Sequence, residues 1–265
     1  MTSKKIFFLI SSLLLSIVLS IVLIKREELV YLLPVKEPQI LRDLAYDKDK
    51  RLGYTVHIKE NEKLVPYLVL TKNYIGQGNV LLLRKHLVDP PMSFRDGWEE
   101  AYYGHSIPDA FMHKDFIKRL SKGIQENIAL TELGIKPSAE HAGRGHIEKI
   151  KRKFFLLSDV DIGNSRGKHR KGDDRNLLYF KRKGGVKEDR LAYSEGDSTP
   201  YSWWLRTAFA TDSAVAKVVD YEGMFGGNGV AYISYVRPAF TLSPETEVEE
   251  KKVNGRKEYV LKIDK

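Results

Sequence analysis

Two adjacent tryptophans and two arginines are the residues in this chain best suited to chemistry. Trp203, Trp204 and Arg206 lie within Tyr201-Ser-Trp-Trp-Leu-Arg-Thr207, and Arg237 lies within Tyr235-Val-Arg-Pro-Ala-Phe-Thr-Leu242. Neighbouring residues on a strand point to opposite faces, so one indole is expected in the core and the other at a surface. An exposed indole could stack on a sugar ring or on a partner's apolar surface, because its flat area is desolvated with little loss of rotamer freedom. An arginine held on a strand can fork a carboxylate or phosphate, or it can pair with an acid of its own domain. Trp203, Trp204, Arg206 and Arg237 are therefore the candidate binding residues, with burial of both rings as the competing expectation.

The other patterns fall short of a reaction centre. His141 and His146 are separated by Ala-Gly-Arg-Gly, a loop composition without a third ligand, so zinc is not expected. Asp159-Val-Asp161-Ile-Gly163 resembles the opening of a calcium loop but lacks the third oxygen ligand and the closing glutamate. No cofactor is expected, calcium being the one ion with a partial motif. Gly163-Asn-Ser-Arg-Gly-Lys168 has one residue too few between its glycines for a phosphate-binding loop. Glu99-Glu100 and Asp173-Asp174 are paired in sequence, whereas glycosidase carboxylates must be paired in space. There are no cysteines, which removes disulfides, thiolate nucleophiles and cysteine-ligated zinc. No catalytic residue and no metal ligand set is predicted.

At the amino terminus, Ile6 to Ile24 form 19 residues without a charge, between Lys4-Lys5 and Lys25-Arg26. As a helix this run spans roughly 28 Å, close to the ~30 Å hydrocarbon core of a bilayer. It exceeds the apolar stretch of a cleaved signal peptide, and no small-residue cleavage site follows it. Residues 1–26 are expected to be an uncleaved signal anchor forming one transmembrane helix. The flanking basic charge is nearly balanced, and a short tail stays inside easily, so the remainder is expected outside the cell membrane. Residues 27–51 read as a stalk, with Pro34, Pro38 and the charged run Asp47–Arg51, and residues 52–265 as a single domain. With 42% hydrophobic residues the chain can build a core.

The net charge of +9 is regional. Residues 1–26 hold four of the excess positive charges, and Arg144–Arg190 carries a local +8. Outside a membrane the polyanions within reach are lipid head groups and acidic wall polymers. Nucleic acid is the least expected partner because it requires the opposite topology.

Strands are predicted over Tyr54–Ile58, Leu64–Leu70, Val80–Leu83, Phe154–Leu157, Trp203–Arg206, Ala214–Val219, Gly229–Ile233, Tyr235–Leu242 and Glu258–Ile263, most of them rich in β-branched and aromatic residues. Two short helices interrupt them. Ser106-Ile-Pro-Asp109 has the form of a helix cap, and Met112, Phe116 and Leu120 follow at four-residue spacing. A second helix starts at Ser121 and carries Ile124 and Ile128 inward. Strands, then helices, then strands without a βα repeat predict an α+β domain with a mainly antiparallel sheet and long loops.

The Trp-Trp-Leu-Arg and Val-Arg-Pro-Ala elements, with Lys153-Phe-Phe-Leu-Leu-Ser158, Val80-Leu-Leu-Leu-Arg-Lys85 and the helix over Asp109–Leu120, resemble a bacterial domain family of unknown function, family 6273. The resemblance covers about Leu64 to Leu242 and implies a compact α+β domain related to C-type lectins and to the formylglycine-generating-enzyme fold. It implies no established activity. Where members tend to show Trp-Leu-Asn in the first helix this chain has Phe111-Met112-His113, and Gly134–Lys149 reads as an added loop. The function expected is that of a membrane-anchored extracytoplasmic domain that binds or scaffolds a glycan, an anionic wall polymer or a surface protein. The alternative is a cell-envelope hydrolase whose carboxylates are assembled by the fold.

Overall fold

A computed structural model describes residues 37–46, 55–135, 147–164, 177–180, 187–209 and 211–263. The predicted anchor at residues 1–26 lies outside the described residues. Among the described residues no helix is long and apolar enough to cross a membrane. Residues 38–265 form one folded unit.

The architecture is sheet-rich α+β with few, short helices. In chain order the strands are β1 (Thr55–Glu60), β2 (Lys63–Thr71), β3 (Val80–Arg84) and β4 (Val88–Ser93), followed by helices α1 (Ile107–Lys114) and α2 (Lys122–Asn127). Then come β5 (Thr131–Ile135), β6 (Glu148–Arg152), β7 (Phe154–Phe155), β8 (Trp203–Ala208), β9 (Val215–Val219) and β10 (Phe225–Gly229). The last four are β11 (Ile233–Val236), β12 (Ala239–Leu242), β13 (Val248–Val253) and β14 (Arg256–Leu261). A seven-stranded sheet runs β13-β14-β1-β2-β3-β12-β7, a five-stranded sheet runs β10-β9-β8-β11-β4, and β5 pairs with β6. Pairing is antiparallel except between β1 and β14 and between β8 and β11.

One predicted strand is divided between the two large sheets. Tyr235–Leu242 was expected to be continuous, but its first part belongs to β11 and its last part to β12, in different sheets. Pro238 lies between them, and proline lacks the N–H that a continuous ladder requires. The chain therefore passes from one sheet to the other at Arg237-Pro238. Predicted strand Gly229–Ile233 is instead the turn joining β10 to β11, closed by Tyr232 N–H donating to Gly229 O at 2.9 Å. Phe154–Leu157 pairs only through Phe154 and Phe155, and the Leu157 carbonyl accepts instead from the Arg206 N–H on β8.

The helices begin where their caps predict. Ser106 Oγ accepts the Asp109 N–H at 3.2 Å, and Ser121 Oγ accepts the Ile124 N–H at 3.4 Å, each satisfying a donor left open at a helix start. The α1 helix ends at Lys114 and is followed by a 3-10 turn over Phe116–Arg119. The expected stripe survives the change, with Met112, Phe116 and Leu120 all buried. Part of the expected stalk is also folded. Leu41 and Leu44 are in the core, and Ile40 bridges to Glu247.

Candidate binding surface

The Trp-Trp-Leu-Arg element lies on β8, and every residue of that strand is buried. Trp203 and Trp204 are each 0% exposed, so neither ring lines an open groove. Trp203 Nε1 donates to Arg190 O at 3.1 Å, and the Arg237 guanidinium lies 5.1 Å from the centre of its ring. Trp204 Nε1 donates to Met92 O on β4 at 2.8 Å, and its ring meets Phe94 edge-on at 5.2 Å. The two indoles pack against different partners, but both ends are interior. A tryptophan can be sealed in this way only when its N–H finds an acceptor, and both do.

Arg206 is equally enclosed, and it pairs with an acid of its own domain. Its Nη1 donates to Asp161 Oδ2 at 2.8 Å and to Leu156 O at 2.9 Å. The same carboxylate oxygen accepts from Tyr74 Oη at 3.0 Å and from the Ser158 N–H at 2.8 Å. Asp159, two residues earlier, accepts from Thr207 Oγ1 at 3.0 Å and Asn164 Nδ2 at 3.2 Å, and it forms an ion pair with Lys217. Both carboxylates of the partial calcium motif thus hold protein donors and pin residues 158–164 onto β8 and β9. A cation there would have to displace them. Among the described residues no group of three or more His, Asp or Glu side chains is arranged to hold a metal. His141, His146 and Asp173-Asp174, with nine of the fifteen Lys and Arg residues of the stretch Arg144–Arg190, lie outside the described residues.

Two further buried polar groups tie elements together. Glu60 accepts from Arg84 Nε at 2.9 Å and from Tyr67 Oη at 2.5 Å, and burial together with the Glu60 charge pushes the Tyr67 phenol well up. Asp109 accepts from Arg152 Nε at 3.0 and 2.9 Å, yet loss of hydration outweighs the cation and raises its pKa above the ordinary carboxylate value. His113 has both ring nitrogens engaged, Nδ1 with Asp109 O at 2.8 Å and Nε2 accepting the Phe154 N–H at 3.3 Å. These two contacts join α1 to β7. A cavity of about 270 Å³ lined by Tyr46, Tyr74, Ile75 and Leu177 is smaller than the roughly 300–1,000 Å³ of ordinary small-molecule pockets.

The exposed aromatic surface lies elsewhere. Trp98 is 62% exposed, Tyr232 57% and Ile233 64%, and the rings of Trp98 and Tyr232 meet edge to face at 5.3 Å. The segment carrying Trp98 is fastened by Phe94 and Arg95, whose N–H groups both donate to Val230 O, at 2.9 and 3.0 Å. The buried Phe94 ring supplies the anchor beneath. Gly229, at the end of β10, lets the indole lie against the strand, because a Cβ there would be 2.6 Å from Trp98 and 3.0 Å from Tyr232. Asp96 and Glu99 are exposed beside the indole, and Arg95 is paired with Glu99. The result is an exposed pair of aromatic rings on a loop that also carries Asp96, Glu99 and the Arg95 that holds Glu99. Sequence reasoning passed over Trp98 because it sits in a loop, Asp96-Gly-Trp-Glu-Glu100, outside any strand or helix pattern. A lone indole among charged residues was the available signal.

The fold and these sites define a sheet-rich α+β domain whose motif residues are buried and whose exposed aromatic side chains stand on loops. The chain belongs to the family described as Domain of unknown function (DUF6273), whose model matches residues 77–244, more than half of its length. Comparisons with curated proteins and with solved structures gave no match.

Proposed function

We propose that this protein is a membrane-anchored, extracytoplasmic binding domain that takes neutral glycan on the surface formed by Trp98, Tyr232 and Ile233. The observation that carries this is the exposed Trp98 ring, fixed against Gly229 and Tyr232. A pyranose presents an apolar face to an indole and hydroxyl donors at its rim, and Asp96, two residues before Trp98 and exposed, is an acceptor on the same loop. Glu99 is neutralised by Arg95, which leaves Asp96 as the unpaired charge on the loop and disfavours an anionic sugar there. The uncharged run Ile6–Ile24 supports the anchor, and the outward orientation of the domain is part of the proposal. A C-type-lectin-like arrangement is part of this proposal, and superposition of an experimental structure on such a domain tests it.

Full-length protein in detergent should bind a neutral polysaccharide or insoluble cell-wall glycan, with the fluorescence of Trp98 changing on binding. Trp98→Ala is expected to reduce binding about fivefold or more, because truncating a central aromatic contact of a binding surface costs roughly 1 kcal/mol or more. Equal binding by wild type and Trp98→Ala would overturn the assignment.

A further inference from the structure

The two large sheets have four outer edges, and three of them are guarded. In the seven-stranded sheet β13 is mostly glutamate and lysine, and β7 gives its Phe154 N–H to His113 on α1. In the five-stranded sheet β4 carries Pro90 and Pro91, whereas β10 reads Phe-Gly-Gly-Asn-Gly. Charged residues and proline keep a sheet edge from pairing with another chain, and β10 has neither.

The hairpin decides which backbone groups face that edge. Asp220 N–H donates to Met224 O at 3.0 Å, so these two residues are a hydrogen-bonded pair at the start of the β9–β10 ladder. Antiparallel pairs alternate, so opposite Val219, Lys217 and Val215 the N–H and C=O groups of Phe225, Gly227 and Gly229 point away from β9. The far end agrees, because Val215 O accepts from Phe209 N–H and Gly229 O from Tyr232 N–H, both at 2.9 Å. Among the described residues nothing meets the N–H and C=O of Phe225 and of Gly227 or the N–H of Gly229. These groups form a row centred on Gly227. Gly226, Gly227 and Gly229 put no side chain in its way, and the row runs from the exposed Tyr221 and Met224 at one end to the exposed Tyr232 at the other.

We infer that β10 pairs with β10 of a second copy of this chain, antiparallel and with the two-fold axis at Gly227, joining two five-stranded sheets into one. In that register the two Gly227 residues exchange N–H and C=O bonds, and each Gly229 N–H donates to Phe225 O of the other copy. A second copy fits because the row is its own complement when reversed. The same reversal lays the Tyr221–Met224 end of each copy beside the Tyr232 end of the other, so apolar groups are covered at both ends. Anchoring of both copies in one membrane, as proposed above, raises their local concentration and favours so short a ladder. Trp98 lies over the face of β10 and not at its edge, since the side-chain direction of Gly229 is what meets its ring. The dimer therefore leaves the indole open and sets two Trp98 surfaces on one face, roughly 13 Å apart along the strand direction, to hold a glycan at two points. Only that last step rests on the glycan reading.

The chain has no cysteine, so a disulfide trap reads the register without background. In the proposed pairing Gly226 stands opposite Asn228 of the other copy as a non-hydrogen-bonded pair, with Cα atoms about 4.5 Å apart, within reach of a disulfide. Like residues lie diagonally, about 7–8 Å apart, and are out of reach. A Cβ at Gly226 makes only an ordinary 3.5 Å contact with Val218, and replacing Asn228 gives up one hydrogen bond to Ser234. Full-length Gly226→Cys and Asn228→Cys proteins, expressed together in one membrane and oxidised, should give a cross-linked dimer on a non-reducing gel, several-fold more than either variant alone. No dimer, or equal cross-linking by a single variant, would overturn the pairing. Should the variants not fold, hydrogen exchange on the wild type in detergent decides. The Phe225 and Gly227 amides should exchange freely in dilute protein and several-fold more slowly in concentrated protein. Protection at every concentration would assign the edge to another segment of the same chain, and fast exchange at every concentration would leave it unpaired; either result sinks the inference.

Discussion

Replacing Gly229 by alanine puts a methyl carbon 2.6 Å from the Trp98 ring and 3.0 Å from the Tyr232 ring. Because Trp98 is on a loop and open to solvent, the indole will shift outward and the fold will persist. Gly229→Ala is therefore expected to weaken glycan binding several-fold while changing stability by less than about 1 kcal/mol, read by binding isotherm and thermal melt on the same sample. Trp203→Ala and Trp204→Ala should behave oppositely, losing about 3–5 kcal/mol of stability because each empties a sealed space and strands an acceptor. The four motif residues were visible in the sequence as special, but whether they met solvent was not. Strand alternation placed the two indoles on separate sides, and only the second sheet and the 187–193 segment decided that both sides are interior. The histidines add a pH effect at this scale. Burial lowers the pKa of both His57 and His86 below 6.5, so the unfolded chain takes up protons that the folded chain refuses. Their contribution to stability is complete above 6.5 and declines as pH falls from there toward the lowered folded values. His57→Gln, removing a group acted on by Glu258 and Lys85, should flatten the denaturation midpoint against pH over that window.

Among the elements, those with caps or apolar runs were legible and those built from charge, glycine or proline were not. Ser106 and Ser121 announce α1 and α2, and the runs in β2, β3 and β8 announce themselves as strands. The β4 strand contains Pro90-Pro91 and sits at a sheet edge, where a missing N–H is tolerated. The β10 strand is Phe-Gly-Gly-Asn-Gly, also at an edge, and β6 and β13 are mostly lysine, arginine and glutamate. Charged edge strands resist pairing with other molecules, so their composition follows from their position and not from local propensity. Outside the residues matched by the family model, β1, β2, β13 and β14 extend one end of the seven-stranded sheet. Ending the chain after Ser243 removes β13 and β14 and uncovers the apolar contacts of Val248, Val260 and Leu261, all now buried. At about 1.5–3 kcal/mol for each such side chain, the loss approaches the whole stability of an ordinary domain. The truncated protein should be recovered from the insoluble fraction, and a cooperative melt from soluble truncated protein would refute this.

For the whole molecule, fold class was the easier inference, because the order of strands and helices already excluded a parallel βα design. The division into two sheets was hidden, since it depends on one proline at the crossing and on pairings between residues far apart in sequence. The proposed topology makes its own prediction. Protease added to intact cells should remove the folded part of an outward-facing protein, and full protection would reverse the orientation. One structural feature bears on how such a protein would behave under load. The first described residues are stitched to the far end of the chain: Leu41 N–H donates to Thr246 O, Arg42 N–H to Pro244 O, and Arg42 forms an ion pair with Glu245. If the Trp98 surface were held by a rigid wall while the chain was pulled from residue 37, tension would arrive at this short seam before it reached β1. The seam would part first, lengthening the tether like a slipped knot while the sheets stayed whole.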